Sequence, residues 1–348
     1  MKKVLLPFLL LTAVSVVKAQ PDKQPFSTKS LANEQVKNIE AKTQGGNISV
    51  IKVSAAEARI DVFIQANNDN YNNKLSKEEI QRRLDENYEL TVSVSNNKLT
   101  AIAKPKERNM NWKRSLSISF YVYVAADVST DLSTSGGNIK LSGLTGTQDF
   151  TTSGGNLDLD NLAGKIMGRT SGGNIHLSKL KDDVDLTTSG GNIHADNSNG
   201  KIRLATSGGS LRLKQLKGDI RATTSGGSID GETISQTLDT HTSGGNISLR
   251  DLSCSLETST SGGNIDVSIK EFGQYITITN SSGNIDLQMP DDKGIDLRLR
   301  GDKIKTTTLN HFSGSVEEGR IEGKLNGGGL PVKVNAGGGK ISLTLSSK

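Results

Sequence analysis

The chain has 348 residues, of which 38 are Gly, six are Pro and one is Cys, with 33% apolar residues and 4% aromatic. A single Cys excludes an internally disulfide-stapled scaffold, and Gly in pairs rather than at every third residue excludes collagen. The net charge of +5 falls to +2 without residues 1–19, because losing Lys2, Lys3 and Lys18 leaves 39 basic residues against 37 acidic; no basic stripe suited to nucleic acid survives.

Residues 1–19 read as an export signal. Lys2 and Lys3 form a charged start, Val4 to Val17 an apolar run, and Val17-Lys18-Ala19 a small-x-small cleavage site before Gln20. No later stretch is long and apolar enough to span a bilayer, so no transmembrane segment is expected in the mature chain. The expected location is the periplasm, or the cell surface and extracellular space. No Cys follows the apolar run to carry a lipid anchor.

Residues 20–130 hold most of the aromatics and read as a β-rich N-terminal capping region. One helix is expected at about 76–86, where Ser76 and Glu79 form a capping box and Ile80 and Leu84 share a face. A hairpin is expected from Leu90–Val94, through Asn96-Asn97, into Leu99–Ala103. Between Lys104 and Arg114 the chain is basic and carries its only Trp. Trp112, Lys113 and Arg114 are candidate contacts for a partner; the alternative is that Trp112 covers the end of the core. A strand, Leu116 to Val124, then runs into the repeats.

Residues 131–290 repeat. Thr-Ser-Gly-Gly-Asn-Ile begins at Thr134 and returns every 18 residues, at Thr152, Thr170, Thr188, Thr206, Thr224, Thr242 and Thr260, with minor changes. The corner residues are Gly136-Gly137-Asn138, Gly154-Gly155-Asn156, Gly172-Gly173-Asn174, Gly190-Gly191-Asn192, Gly244-Gly245-Asn246 and Gly262-Gly263-Asn264. In the fifth and sixth copies Ser210 and Ser228 replace the Asn. Looser copies stand at Gly45-Gly46-Asn47-Ile48 and Ser282-Gly283-Asn284-Ile285. Within a unit, Ile175, Leu177, Leu180, Val184 and Leu186 are apolar at spacings that give two short extended segments with one face inward. Constant unit length favours coils stacked in register over an antiparallel meander. The expectation is an all-β fold, a parallel β-solenoid with 18-residue coils and a rise of about 4.8 Å per coil. Gly fits the corners because it tolerates positive φ; Gly146, Gly164, Gly200 and Gly218 mark a second corner. The Asn column is expected to bond from coil to coil. Residues 291–348 continue as degenerate coils and a C-terminal cap, through Gly327-Gly328-Gly329 and Gly337-Gly338-Gly339.

The export signal, the early Gly-Gly-Asn-Ile, the strand Tyr121-Val122-Tyr123-Val124 and the run Leu132-Ser133-Thr134-Ser135-Gly136-Gly137-Asn138-Ile139 resemble the bacterial "putative adhesin" family of β-strand-repeat domains, a domain of unknown function. The resemblance covers roughly residues 40–345 and implies an exported, non-catalytic β-solenoid. It transfers no ligand residues, and the helix at 76–86 is an insertion relative to its pattern.

The position after each repeated Ile faces outward and varies: Lys140, Asp158, His176, His194, Arg212, Asp230, Ser248, Asp266, Asp286. His176 and His194 stack one coil apart, but two ligands without a third make a weak metal site, and no metal or other cofactor is assigned. No Gly-x-Ser-x-Gly elbow occurs. Asp158 and Asp160, with Asp182 and Asp183, come nearest to a paired-carboxylate site, against the simpler reading of surface charge. No catalytic residue is assigned. The sequence therefore reads as an exported non-enzymatic β-solenoid for envelope or surface binding and scaffolding, with an unidentified envelope or extracellular protein or polysaccharide as partner. The alternatives are a carbohydrate-active solenoid lyase or hydrolase, and a self-assembling structural polymer.

Overall fold

The computed structural model describes residues 24–66, 75–107 and 114–346; the expected export signal at 1–19, Trp112 and Lys113 lie outside these. The alternating apolar pattern folds as its period requires. Ile175, Leu177, Leu180, Val184 and Leu186 are all buried, and the equivalent side chains of neighbouring coils stack on them in one continuous core. Each coil gives a short strand after the Gly-Gly-Asn corner, such as Ile175–Ser178, and a second before the next corner, such as Lys181–Thr188. The first strands pair in parallel with a shift of 18 residues, Leu157 beside Ile175 beside Ile193. The second strands do likewise, Ile166 beside Val184 beside Ile202. Two parallel ladders result. Inward side chains compensate across coils: Gly168 leaves room for the Phe150 ring, which a Cβ there would meet at 2.2 Å.

The corners show why the motif is so uniform. Each corner Thr is buried, and its hydroxyl serves two backbone groups. Thr152 Oγ1 donates to the Gly137 carbonyl of the preceding coil at 2.8 Å and accepts from the Gly155 N–H of its own at 3.2 Å. The same pair of bonds recurs at Thr170, Thr188, Thr206 and Thr224. The Asn column bonds from coil to coil as expected: Asn138 Oδ1 accepts from the Asn156 N–H at 2.7 Å, and Asn156 Oδ1 from the Asn174 N–H at 2.8 Å. Ser fills the gap, since Ser210 Oγ accepts from the Ser228 N–H at 3.2 Å. Buried corner backbone is thus paired, as burial demands.

The reason for the Gly pairs differs from the expected one. Among the described residues, none of the paired corner glycines has a positive φ. The second Gly is required by close approach: a Cβ on Gly173 would stand 1.9 Å from the Gly155 carbonyl oxygen, whereas one on Gly172 would meet nothing nearer than 3.7 Å. Positive φ belongs to two other columns. One is Gly146, Gly164, Asp182, Gly200, Gly218 and Gln236; the other is Gly143, Asn161, Lys179, Asn197, Gln215, Thr233 and Asp251.

Both ends of the stack are built by chain excursions. The early copy, Asn38–Lys42 and Ile48–Lys52, is a coil of the stack, with Ile48 paired to Ile139 on one side and to Phe120 on the other. The excursion between holds the helix Lys77–Asn87, capped by Ser76 Oγ accepting from the Glu79 N–H, and the hairpin Tyr88–Ser95 to Lys98–Pro105, turning at Asn96 and Asn97 with φ of 50° and 59°. Antiparallel strands then cover this end: Tyr88–Ser95 on Lys98–Pro105, and Arg59–Ala66 on Leu116–Val124. At the other end the chain runs ahead to form Ile295–Arg300 and Lys303–Thr306, and the hairpin Phe312–Glu317 with Arg320–Leu325 covers the former in antiparallel pairing. It then returns, and Leu330–Ala336 and Lys340–Ser346 insert between these outer strands and the last regular coil.

Two tests of this packing follow from single side chains. Cys254 is fully buried, and burial pushes its thiol up to about 12. Almost no thiolate forms at neutral pH, so the native protein should resist a thiol reagent, with full modification appearing only as denaturant unfolds it. Rapid labelling of the folded chain would contradict the burial. On the second ladder, Lys42 and Lys98 each approach the Glu40 carboxylate to 2.6 Å and hold it down to about 2 from an ordinary 4.5. A depressed carboxyl contributes stability above about 4.5 that is lost as the pH falls towards 2. Glu40→Gln should therefore melt lower than the parent at pH 7, by less than about 1 kcal/mol because the lysines are half exposed. The gap should close in acid.

Candidate functional site

The strands after the Gly-Gly-Asn corner turn every second side chain outward, so successive coils contribute one residue each to a column. Lys140, His176, Arg212, Asp266 and Asp286 are exposed, with Asp158, His194 and Asp230 half-buried between them. A parallel column two residues on carries Ser142, Asp160, Ser178, Asp196, Lys214 and Glu232, by the same register. Oppositely charged neighbours meet across coils at Lys214–Glu232, 3.7 Å, and on the second ladder at Arg221–Asp239, 3.6 Å. These exposed pairs add little stability.

A groove of about 490 Å³ lies where the columns pass Lys140, Asp158, Asp160, His176, His194 and Asp196. Asp158 Oδ1 stands 3.5 Å from His176 Nδ1, and the two imidazoles face edge-on with centroids 6.0 Å apart. Asp158 and Asp160 stand on the first ladder, while Asp182 and Asp183 both stand on the second, the Asp182 Oδ2 accepting from the Gly164 N–H. The two carboxylate pairs are therefore not one cluster, because outward direction is set separately for each ladder.

Arg114 lies beside the capping helix and donates to Glu86 Oε2 at 3.1 Å. Glu86 also accepts from Arg82, which in turn bonds Glu79. The guanidinium is thus tied to the helix. Sequence reasoning missed the left-handed corner column from Gly143 to Asp251; Asn161, Asn197 and Asp251, residues that tolerate this conformation, are its signal. Among the described residues, no helix is long and apolar enough to cross a membrane.

Residues 202–344 match the family described as Toastrack DUF4097, in agreement with the resemblance carried by the corner motif. Two solved structures align over most of the chain. A "putative cell adhesion protein" from Clostridium sporogenes is 9% identical, covering 92% of this chain and 98% of that one with a TM-score of 0.19. A "putative adhesin" from Bacteroides fragilis is 14% identical, covering 94% and 100%, with a TM-score of 0.23. At these scores neither likeness bears on fold or function. No curated protein matches the sequence.

Proposed function

We propose that this chain is exported, cleaved after Ala19, and acts without catalysis as an adhesin-type β-solenoid that binds and scaffolds at the envelope or cell surface. The observation that carries the reading is the division of labour within each coil. Inward and corner positions repeat from coil to coil, while the outward column varies in charge and chemistry, running Lys140, Asp158, His176, His194, Arg212, Asp230. A stack held by backbone and aliphatic contacts leaves its outward side chains free to differ, and a row of distinct groups at one strand spacing can match an extended partner. The antiparallel strands at both ends also oppose unlimited end-to-end stacking.

Fractionation of cells expressing the full chain, with N-terminal sequencing, tests export; the expected product starts at Gln20 outside the cytoplasm. Cosedimentation of that product with isolated envelope fragments tests binding. An uncleaved cytoplasmic chain would overturn the reading, and so would release of new reducing or unsaturated ends from an acidic polysaccharide, which would favour a carbohydrate-active solenoid.

A further inference from the structure

On the first ladder, three successive coils set Asp158, His176 and His194 in one outward column, because the strands pair in register. Neighbouring positions are about 4.8 Å apart. Two imidazoles at that spacing can turn their nitrogens to within about 3.3 Å of each other, the separation that a tetrahedral ion bound at about 2.0–2.1 Å requires. The Asp158 carboxylate lies on the Nδ1 side of His176 at 3.5 Å, leaving Nε2 as the free nitrogen. A carboxylate behind an imidazole is the arrangement that fixes ring orientation and tautomer in metal-bound histidines. Two residues beyond His194, on the same face of the strand, Asp196 supplies a third group. Its Oδ2 accepts from Asn197 at 3.2 Å, while its Oδ1 is shielded from water and has no hydrogen-bond partner. A shielded carboxylate oxygen without a donor is stabilised by a cation. All four residues line the same groove.

We propose that His176, His194 and Asp196 bind one transition-metal dication of the zinc class, with Asp158 as the positioning residue. Imidazole with a single carboxylate suits zinc, nickel or copper and is poor for calcium or magnesium, which take oxygen ligands. Among the described residues, no three such side chains lie close enough to hold an ion as they stand. The His176 side chain is 60% exposed, and His194 and Asp196 are half-buried on the same face; closing the set requires rotation of these three side chains and no movement of the backbone. A bound dication would offset the Asp158 and Asp196 charges on the same columns that form the proposed binding surface, but the metal site stands or falls independently of export or adhesion.

Calorimetric titration of the untagged chain with zinc sulfate tests it. The expected result is one saturable equivalent per chain. His176→Asn, His194→Asn and Asp196→Asn should each weaken binding at least about tenfold, and Asp158→Asn by about tenfold. The metal-free melting temperature should not fall in any of the four, since none of these side chains enters the core. A purely structural role for Asp158 would instead lower that temperature and spare the affinity. Calcium at millimolar concentration should not compete. The proposal is overturned if zinc shows no saturable uptake, or if the double variant His176→Asn/His194→Asn takes it up as the parent does.

Discussion

Gly209→Ala is expected to cost at least about 3 kcal/mol and to leave little folded protein, whereas Gly208→Ala, one residue earlier, should stay within about 1 kcal/mol of the parent. The two glycines are adjacent in sequence and look equivalent in the motif. They differ in what surrounds the missing methyl group. On Gly209 a Cβ would stand 1.9 Å from the Gly191 carbonyl oxygen and 2.5 Å from its carbon, inside any permitted contact. That oxygen also accepts from the Thr206 hydroxyl at 2.8 Å, so it cannot retreat without breaking the corner. On Gly208 the nearest atom would be 3.7 Å away, an ordinary contact, and Ser282 fills the equivalent position in the looser copy. Urea unfolding of the two variants checks this directly. Equal costs would remove close coil-to-coil approach as the reason for the pair.

Leu249→Asp should cost about 4 kcal/mol or more, seen as a fall of many degrees in the melting temperature. Leu249 is fully buried, and its side chain occupies space left by Gly231 in the coil before, where a Cβ would meet Leu249 Cδ2 at 2.6 Å. A carboxylate there would stack on Val267 of the following coil and stand over Gly231 of the preceding one, with no polar partner at either register position. Because each coil is stabilised only by its neighbours, a break in the seventh repeat should weaken coupling between the two halves as well as the local packing. An unchanged melting profile would mean that position 249 does not face inward.

Much of this architecture is legible in the chain because one coil is a short sentence repeated. The 18-residue interval and the apolar spacing of Ile175, Leu177, Leu180, Val184 and Leu186 imply stacked coils, and those five side chains are buried. The hairpin turning at Asn96-Asn97 and the cap at Ser76 were equally readable, since turn and cap chemistry is local. The ends were not. Nothing in the sequence near Ile48 says that its strand lies between Phe120 and Ile139, or near Ile341 that it lies between Ile285 and Ile304. These neighbours are set by which open ladder edge each returning segment covers, a contest decided between distant strands.

The sequence by itself determined the coil: its length, its inward column, its corner motif and the varied outward one, because each depends on residues within a single period. Tertiary structure decided which glycine of each pair is indispensable, how the two ends close, and which outward residues become neighbours. Asp158, His176 and His194 are 18 residues apart in sequence and adjacent in space. Only stacking, which converts a sequence period into a strand spacing, could bring their chemistry into one groove with Asp196.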